Sequence, residues 1–223
     1  MSPSATDPTS TPPASDRVRL RRGAARGEHD PAVVRDVLDR GLVAHVGVAT
    51  PDGPVVLPMA YGRTDDTLYL HGAAANALLG AGEGAEICVT VTLVDALVLA
   101  RTPFHNSMNY RCVVVRGRGR RVEDPAEHLD ALRRITDHVI PTWDHGRPPS
   151  PAELRRTLVV AVPLTEASAK VRAGDPVDEP EDLLGPHWAG TVAITTTFGA
   201  PVPAADLAPG IEVPASVVAI SRR

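Results

Sequence analysis

The segment from Val94 to Val115 constrains the fold more than any other part of the chain, because two apolar runs there enclose a polar loop. The flanking runs have the length and β-branched content of strands, so the segment is predicted to enter a sheet and return from it. The hydrogen-bonding groups of the loop are Arg101, Thr102, His105, Asn106, Ser107, Asn109, Tyr110 and Arg111. Such groups beside buried strands need partners, and a planar polar ligand would supply many of them.

Arg111 is the cation of this segment that most needs a partner. Strand alternation places it on the same face as Val113 and Val115. A guanidinium beside buried valines must be compensated. An anionic ligand or a ligand carbonyl would serve as well as a carboxylate of the chain, so a ligand contact and an internal salt bridge both stay open.

Composition limits the class of protein. The 223 residues suffice for one domain, expected over residues 17–223, after a tail of Pro, Ser and Thr (residues 1–16) that is expected to be disordered. A net charge of −4 excludes a global field that would attract nucleic acid or an anionic membrane. No apolar run approaches the roughly 18 residues of a membrane span, and the N-terminus lacks a signal-like apolar stretch. We therefore expect a cytoplasmic protein. Its two cysteines, Cys88 and Cys112, are interpreted as small buried hydrophobes.

The first elements follow from capping and alternation. Residues 17–26 contain five arginines, which form either a solvated arm or contacts to a phosphate or a second subunit. Asp30 and Gly41 bound a predicted amphipathic helix that begins at Pro31. Residues 42–71 then predict a meander of three strands, with Pro58 at an edge or a bulge.

His71 ends the third predicted strand on its more polar face, together with Tyr69 and opposite Leu68 and Leu70. A lone histidine is usually structural, but the next residues, 72–84, predict a tight turn into a short helix. Free amides at a helix N-terminus provide a seat for phosphate. A role for His71 at a ligand site therefore stands beside the structural interpretation.

The second half of the chain alternates helices and strands. Residues 116–121, RGRGRR, are interpreted as the exposed end of a long strand, and capping patterns at Asp124 and Ser150 predict two helices. Alternation then places Ser168, Lys170 and Arg172 on one face, which fits either a solvated edge strand or an anion site. Trp188 is assigned either to the core or to the wall of a ligand pocket. The histidines here lack a metal-binding spacing, so no metal site is predicted.

The run HNSMNYRCVVVRG, with LVLAR before it, resembles a motif of the FMN-binding split-barrel family related to pyridoxamine 5′-phosphate oxidase, in the branch of nitroimidazole-resistance proteins. GLVAHVGVATPDG, DTLYLHGAA, EASAKVRAGDPVDEPED and WAG extend the resemblance over roughly residues 17 to 215. It implies a mainly β (α+β) fold, a split β-barrel of the FMN-binding type with flanking helices. It also implies a homodimer with two flavin sites at its interface.

The resemblance implies an FMN-dependent oxidoreductase that passes electrons from a reduced nicotinamide, NAD(P)H, to a small organic substrate. His71 would be a catalytic proton donor. The residues expected to bind FMN are Asn76, Ser107, Asn109, Tyr110, Arg111, Lys170, Arg172 and Trp188. Relatives carry Ser or Thr and a cation in the phosphate turn, where this chain has Asn76 and Ala77. This departure supports the alternative, a non-catalytic protein that binds or stores a flavin, a deazaflavin or haem on the same barrel.

Overall fold

The computed structural model describes residues 11–21 and 23–221. The helices are α1 (Pro31–Arg40), α2 (Ala77–Gly82), α3 (Pro125–Val139), α4 (Pro151–Arg155) and α5 (Ala215–Ile220). The strands are β1 (Gly27–Glu28), β2 (Ala44–Thr50), β3 (Gly53–Met59), β4 (Tyr61–Arg63), β5 (Thr67–Ala73), β6 (Glu86–Leu99), β7 (Ser107–Arg118), β8 (Arg120–Arg121), β9 (Thr157–Pro163), β10 (Ala167–Arg172) and β11 (Gly190–Ala193). Two compact units result, each built from three segments.

The first unit comprises Met1–Gly41, Cys88–Arg116 and Thr165–Thr195, and the first ten of these residues lie outside the described part. Its antiparallel strands run in the order β1-β10-β7-β6, and β11 also pairs with β6. Ser15, within the predicted tail, donates a hydrogen bond to Glu166 (2.5 Å).

Helix α1 has the predicted boundaries. The Asp30 side chain accepts a hydrogen bond from the amide of Ala32 (2.8 Å), and the helix ends at Gly41. Its buried stripe is Val34, Val37 and Leu38. Burial of each such side chain contributes about 1.5–3 kcal/mol, which exceeds what capping supplies, so packing fixes the helix and the cap sets its start.

The second unit comprises Leu42–Ile87, Gly117–Leu164 and Thr196–Arg223. It contains the β2–β3 hairpin, which turns at Gly53 (φ 115°), and an antiparallel sheet of order β4-β5-β9-β8. Strand β3 is the terminal strand of its sheet, which confirms the edge position predicted for Pro58. The predicted second strand, however, is two: it breaks at Ala60 because β3 and β4 belong to different sheets.

The face of β5 that carries Tyr69 is a core, and its prediction as the more polar face was wrong. Tyr69 packs in one cluster with Val159 of β9 and Ile135 of α3. Its hydroxyl donates to Glu127 (3.2 Å) at the edge of that cluster. A tyrosine can occupy such a core because its polar tip finds a partner, and for this reason strand alternation alone misjudged the face.

The two cysteines differ in exposure. Cys88 on β6 is exposed, so its prediction as a buried hydrophobe was wrong, whereas Cys112 on β7 is half-buried. Burial raises the pKa of the Cys112 thiol, which keeps it protonated and unreactive.

Candidate functional site

The polar loop singled out in the sequence is bound to a second loop of the first unit, residues 173–178, which follows β10. The Arg101 guanidinium and its backbone amide both bond to the Asp178 carboxylate (2.9 and 2.8 Å). A ring nitrogen of His105 pairs with the carbonyl of Val177 (2.9 Å). Burial tends to raise the pKa of Asp178, but the bonds from Arg101 outweigh it and the pKa lies below its ordinary value. These groups hold two loops together.

Asn109 and Arg172 form the buried polar part of this site. Their exposed fractions are 9% and 7%. Arg172 Nη1 donates to Asn109 Oδ1, and Nη2 donates to the carbonyl of Asp175 (3.4 Å). The Asn109 amide in turn donates to the carbonyl of Gly174 (3.1 Å).

The charge of Arg172 is not compensated within the described part of the chain. No carboxylate there forms a salt bridge with it, and its buried Nε atom has no hydrogen-bond partner. A buried guanidinium without an acid is costly unless an anion reaches it. Arg172 therefore has the burial and the free donor that an anion site requires, and the anion-site interpretation of this face stays a prediction.

Arg111 forms salt bridges within the chain, which is one of the two alternatives that the sequence left open. It makes a bidentate pair with Asp95 on β6 (2.8 and 3.1 Å) and a further contact with Asp36 on α1 (3.4 Å). The hydrogen bond to Asp95 is the main cause of a raised pKa for Arg111. The salt-bridge alternative therefore describes this residue in the folded chain. Sequence reasoning missed both acids, although Asp95 interrupts an apolar run, and an acid in such a run indicates a cation on a neighbouring element.

The remaining predicted residues of the first unit lie on or near its strands. Ser107 begins β7 and is exposed, and Tyr110 is half-buried opposite Arg172 in the β7–β10 register. Lys170 is half-buried opposite Cys112. Trp188 is 66% exposed, which removes the core role considered for it. Its ring lies against Gly190, where an added Cβ would come within 2.9 Å of it.

His71 and Asn76 lie in the second unit. His71 is half-buried at the end of β5, and burial lowers its pKa. Its Nδ1 is buried without a hydrogen-bond partner in the described structure, as is Nδ1 of His29 in the first unit. The predicted short helix after the turn is α2, and the Asn76 side chain caps it by accepting from the amide of Leu79 (3.1 Å). That oxygen is therefore occupied.

The arginines of RGRGRR are exposed, as predicted, and Arg118, Arg120 and Arg121 line a groove of about 590 Å³ in the second unit. Arg120 makes a bidentate pair with Glu127 (2.6 and 3.1 Å), which lowers the pKa of Glu127. Arg121 pairs with Glu83 (3.5 Å). Since three arginines and four acids line the groove, it carries no excess positive charge for an anionic ligand.

Among the described residues, no helix has both the length and the apolar composition of a membrane span. Those residues also contain no group of three or more His, Cys, Asp or Glu side chains placed to hold a metal ion.

The model of the pyridoxamine 5′-phosphate oxidase family matches residues 30–171. The flavocytochrome Anf3 from Azotobacter vinelandii is 34% identical, with a TM-score of 0.89, over 93% of this chain and 98% of its own. An FAD and haem binding protein from Mycobacterium smegmatis is 33% identical, with a TM-score of 0.83, over 87% and 97%. No curated protein matches the chain.

A third structure, described as a 5-nitroimidazole antibiotic resistance protein from Bacteroides thetaiotaomicron, is 26% identical with a TM-score of 0.55. It covers 65% of this chain and 86% of its own. Together these similarities confirm the predicted family and the predicted mainly β split barrel with flanking helices.

Proposed function

This chain belongs to the pyridoxamine 5′-phosphate oxidase-like family of flavin-binding split barrels, and from this premise we propose that it binds a flavin together with haem and passes electrons between them. One observation carries the proposal: the similarity to a flavocytochrome extends over 93% of this chain and 98% of the other. The FAD and haem binding protein supports the same pair of cofactors. A flavin exchanges one or two electrons and haem iron exchanges one, so the pair would connect a two-electron donor to a one-electron acceptor.

Arg172 fits an anionic part of either cofactor. Its guanidinium is buried, it donates only to an amide oxygen and a backbone carbonyl, and its Nε is unused. Flavin phosphates and haem propionates are anions that a guanidinium binds with charge-assisted hydrogen bonds. Lys170 on the same strand would add a second positive charge. Asn109 would orient the guanidinium, because its own amide is fixed on Gly174.

His71 fits a ligand of haem iron better than a proton donor. A donor must be protonated at neutral pH, whereas burial lowers the pKa of this ring and favours the neutral imidazole. The neutral imidazole is the form that binds iron. Its buried Nδ1 has no protein partner among the described residues, so the ring keeps an unsatisfied polar atom. We therefore assign His71 to iron and not to substrate protonation.

An absorption spectrum of the protein, purified from cells supplied with haem and flavin, tests the proposal. We expect flavin and haem bands in equal stoichiometry. His71→Gln should lose the haem bands and keep the flavin, and His29→Gln is the matched control, since it replaces a second histidine with an unpartnered buried Nδ1. A protein that holds flavin and never haem would contradict the haem assignment, and one that binds neither would contradict the whole proposal.

A second candidate is the FMN-dependent oxidoreductase expected from the sequence, which would take electrons from NAD(P)H and reduce a small organic substrate. The similarity to the nitroimidazole-resistance protein favours it. The turn at Asn76 weighs against FMN, because the side-chain oxygen there caps α2 and no cation follows it at Ala77. Turnover of NADPH with a nitroaromatic acceptor, in protein that holds flavin alone, would favour this candidate. For either function we propose a homodimer.

A further inference from the structure

The chain after β11 forms a segment without helix or strand, with turns at residues 205–206 and 209–210, which we call the C-terminal arm (residues 196–213). Every residue from 191 to 213 is exposed. The exposed large apolar side chains of the arm are Phe198, Val202, Leu207, Ile211 and Val213. The most exposed of these side chains is Val202, at 89%. An apolar surface of this length on a folded chain indicates a contact with another molecule.

The arm forms almost no hydrogen bonds with the described residues of its own chain. Within the described structure its only hydrogen bond is local, from the amide of Leu207 to the carbonyl of Ala204 (3.1 Å). Its charged residues are Asp206 and Glu212 alone, so it lacks the charge density of a solvated linker. The arm is therefore apolar and irregular, and it has no partner outside itself among the described residues.

A second apolar surface, strand β3, lies in the same unit. Val55, Val56 and Leu57 are successive residues, so they occupy both faces of the strand, and all three are exposed. No residue from Gly53 to Met59 is charged. An uncharged, exposed edge strand attracts other chains unless something covers it. The arm and β3 belong to the same unit and both are exposed, so the arm does not cover β3 of its own chain in the described structure.

We propose that the C-terminal arm of one subunit lies across strand β3 of a second copy of this chain, and that the second arm returns the contact. A two-fold exchange covers both surfaces in both copies, whereas a contact of arm with arm would leave β3 open. The 18 residues of the arm span about 56 Å when extended at ~3.1 Å per residue. Strand β3 spans only about 23 Å at ~3.3 Å per residue, so the arm is long enough to reach it.

The contact is made by side chains and not by a continuous hydrogen-bond ladder. Pro201, Pro203 and Pro209 lack amide hydrogens, and Pro54 and Pro58 interrupt the edge of β3. Such a contact should respond to the removal of apolar side chains more than to changes of charge. The inference rests on the homodimer named in the proposed function, and on neither cofactor.

The test compares two triple variants by sedimentation equilibrium. Phe198→Ser, Val202→Ser and Ile211→Ser together remove three apolar side chains of the arm. The control carries Ala200→Ser, Ala204→Ser and Ala205→Ser, which add three hydroxyls to the arm and remove no large side chain. We expect the dimer dissociation constant to rise at least tenfold in the first variant and to stay within twofold of wild type in the control.

Limited proteolysis of the wild-type protein identifies the surface that the arm covers. Cleavage within the arm should slow as protein concentration rises through the dissociation constant, and Val56→Lys in β3 should abolish that protection. Protection that does not depend on concentration would show that the arm packs on its own chain and would overturn the inference. An unchanged constant in the first variant would also overturn it and leave the homodimer intact. A wild-type protein that is monomeric at every concentration would contradict the homodimer itself.

Discussion

Replacement of Arg172 by methionine is the sharpest test of the candidate site. Methionine has a similar length but neither charge nor donors, so the substitution removes the anion seat and keeps most of the packing. In the cofactor-free protein two opposing effects meet. Two hydrogen bonds from a charged group, to Asn109 and Asp175, contribute about 1.5–3 kcal/mol each, and the burial of an uncompensated guanidinium costs several kcal/mol. We therefore expect the free energy of unfolding of the apoprotein to change by less than about 2 kcal/mol.

The effect on cofactor affinity should be larger and of one sign. A charge-assisted bond worth about 1.5–3 kcal/mol corresponds to a loss of affinity of roughly 10- to 150-fold. Titrations with FAD, riboflavin and haem identify the anion. If Arg172 holds the flavin phosphates, FAD binding weakens and riboflavin binding does not; if it holds a propionate, haem binding weakens.

The control for this experiment is Arg134→Met, which makes the same chemical change on the exposed face of α3. Arg134 pairs with Asp130 four residues earlier on that helix (2.6 Å). Its loss should leave the affinities for all three ligands unchanged. Equal affinities of Arg172→Met and Arg134→Met for FAD and for haem would refute the assignment of Arg172 to a cofactor anion.

Three further predictions concern stability. Burial lowers the pKa of His71, so below about pH 6.5 the unfolded chain binds a proton at this residue more readily than the folded chain does. The free energy of unfolding of the wild-type apoprotein should therefore fall as the pH drops below that value. In urea unfolding, His71→Gln should make the free energy of unfolding depend less on pH in this range. Gly62→Ala should lower the free energy of unfolding by about 1–3 kcal/mol, because its Cβ would lie 2.6 Å from the α3 backbone. Gly80→Ala has open space around its Cβ and should raise the free energy of unfolding by about 0.5–1 kcal/mol. Thermal unfolding measures both. Asn76→Ala should cost about 1 kcal/mol through the lost cap of α2, and Asn76→Asp, which keeps the accepting oxygen, should cost less.

Local elements were predictable where a local interaction determines them. The caps of α1 at Asp30, of α3 at Asp124 and of α4 at Ser150 each appear as predicted. Such caps lie within three residues of the amides that they satisfy, so the information is contained in a short stretch of sequence. Gly41 ends α1 for the same reason.

The faces of the strands and the partners of the charged groups were harder, because they depend on residues distant in sequence. Tyr69 is buried by an α3 residue, Ile135, that lies 66 positions later in the chain. The pairing of Arg111 with Asp36 likewise joins positions separated by 75 residues. Alternation along a strand identifies which residues share a face and does not identify what covers that face. Sequence reasoning therefore identified polar residues that the structure brings together, but it could not decide which of them are satisfied within the chain.

Hydrogen-bond partners distinguish the groups of the polar loop that support its structure from those available to a ligand. Arg101, His105 and Asn109 are polar groups of the loop that need partners, and each bonds to the 173–178 loop. Arg111 is compensated by two acids. Arg172 differs, because it is buried, carries a charge, and lacks an acid among the described residues. A fold that ties down the neighbouring donors can hold one uncompensated cation rigidly, and rigidity lowers the entropy that an anionic cofactor loses on binding. The polar loop and residues 173–178 thus support Arg172, and we expect Arg172 to contribute most to the affinity for an anionic cofactor.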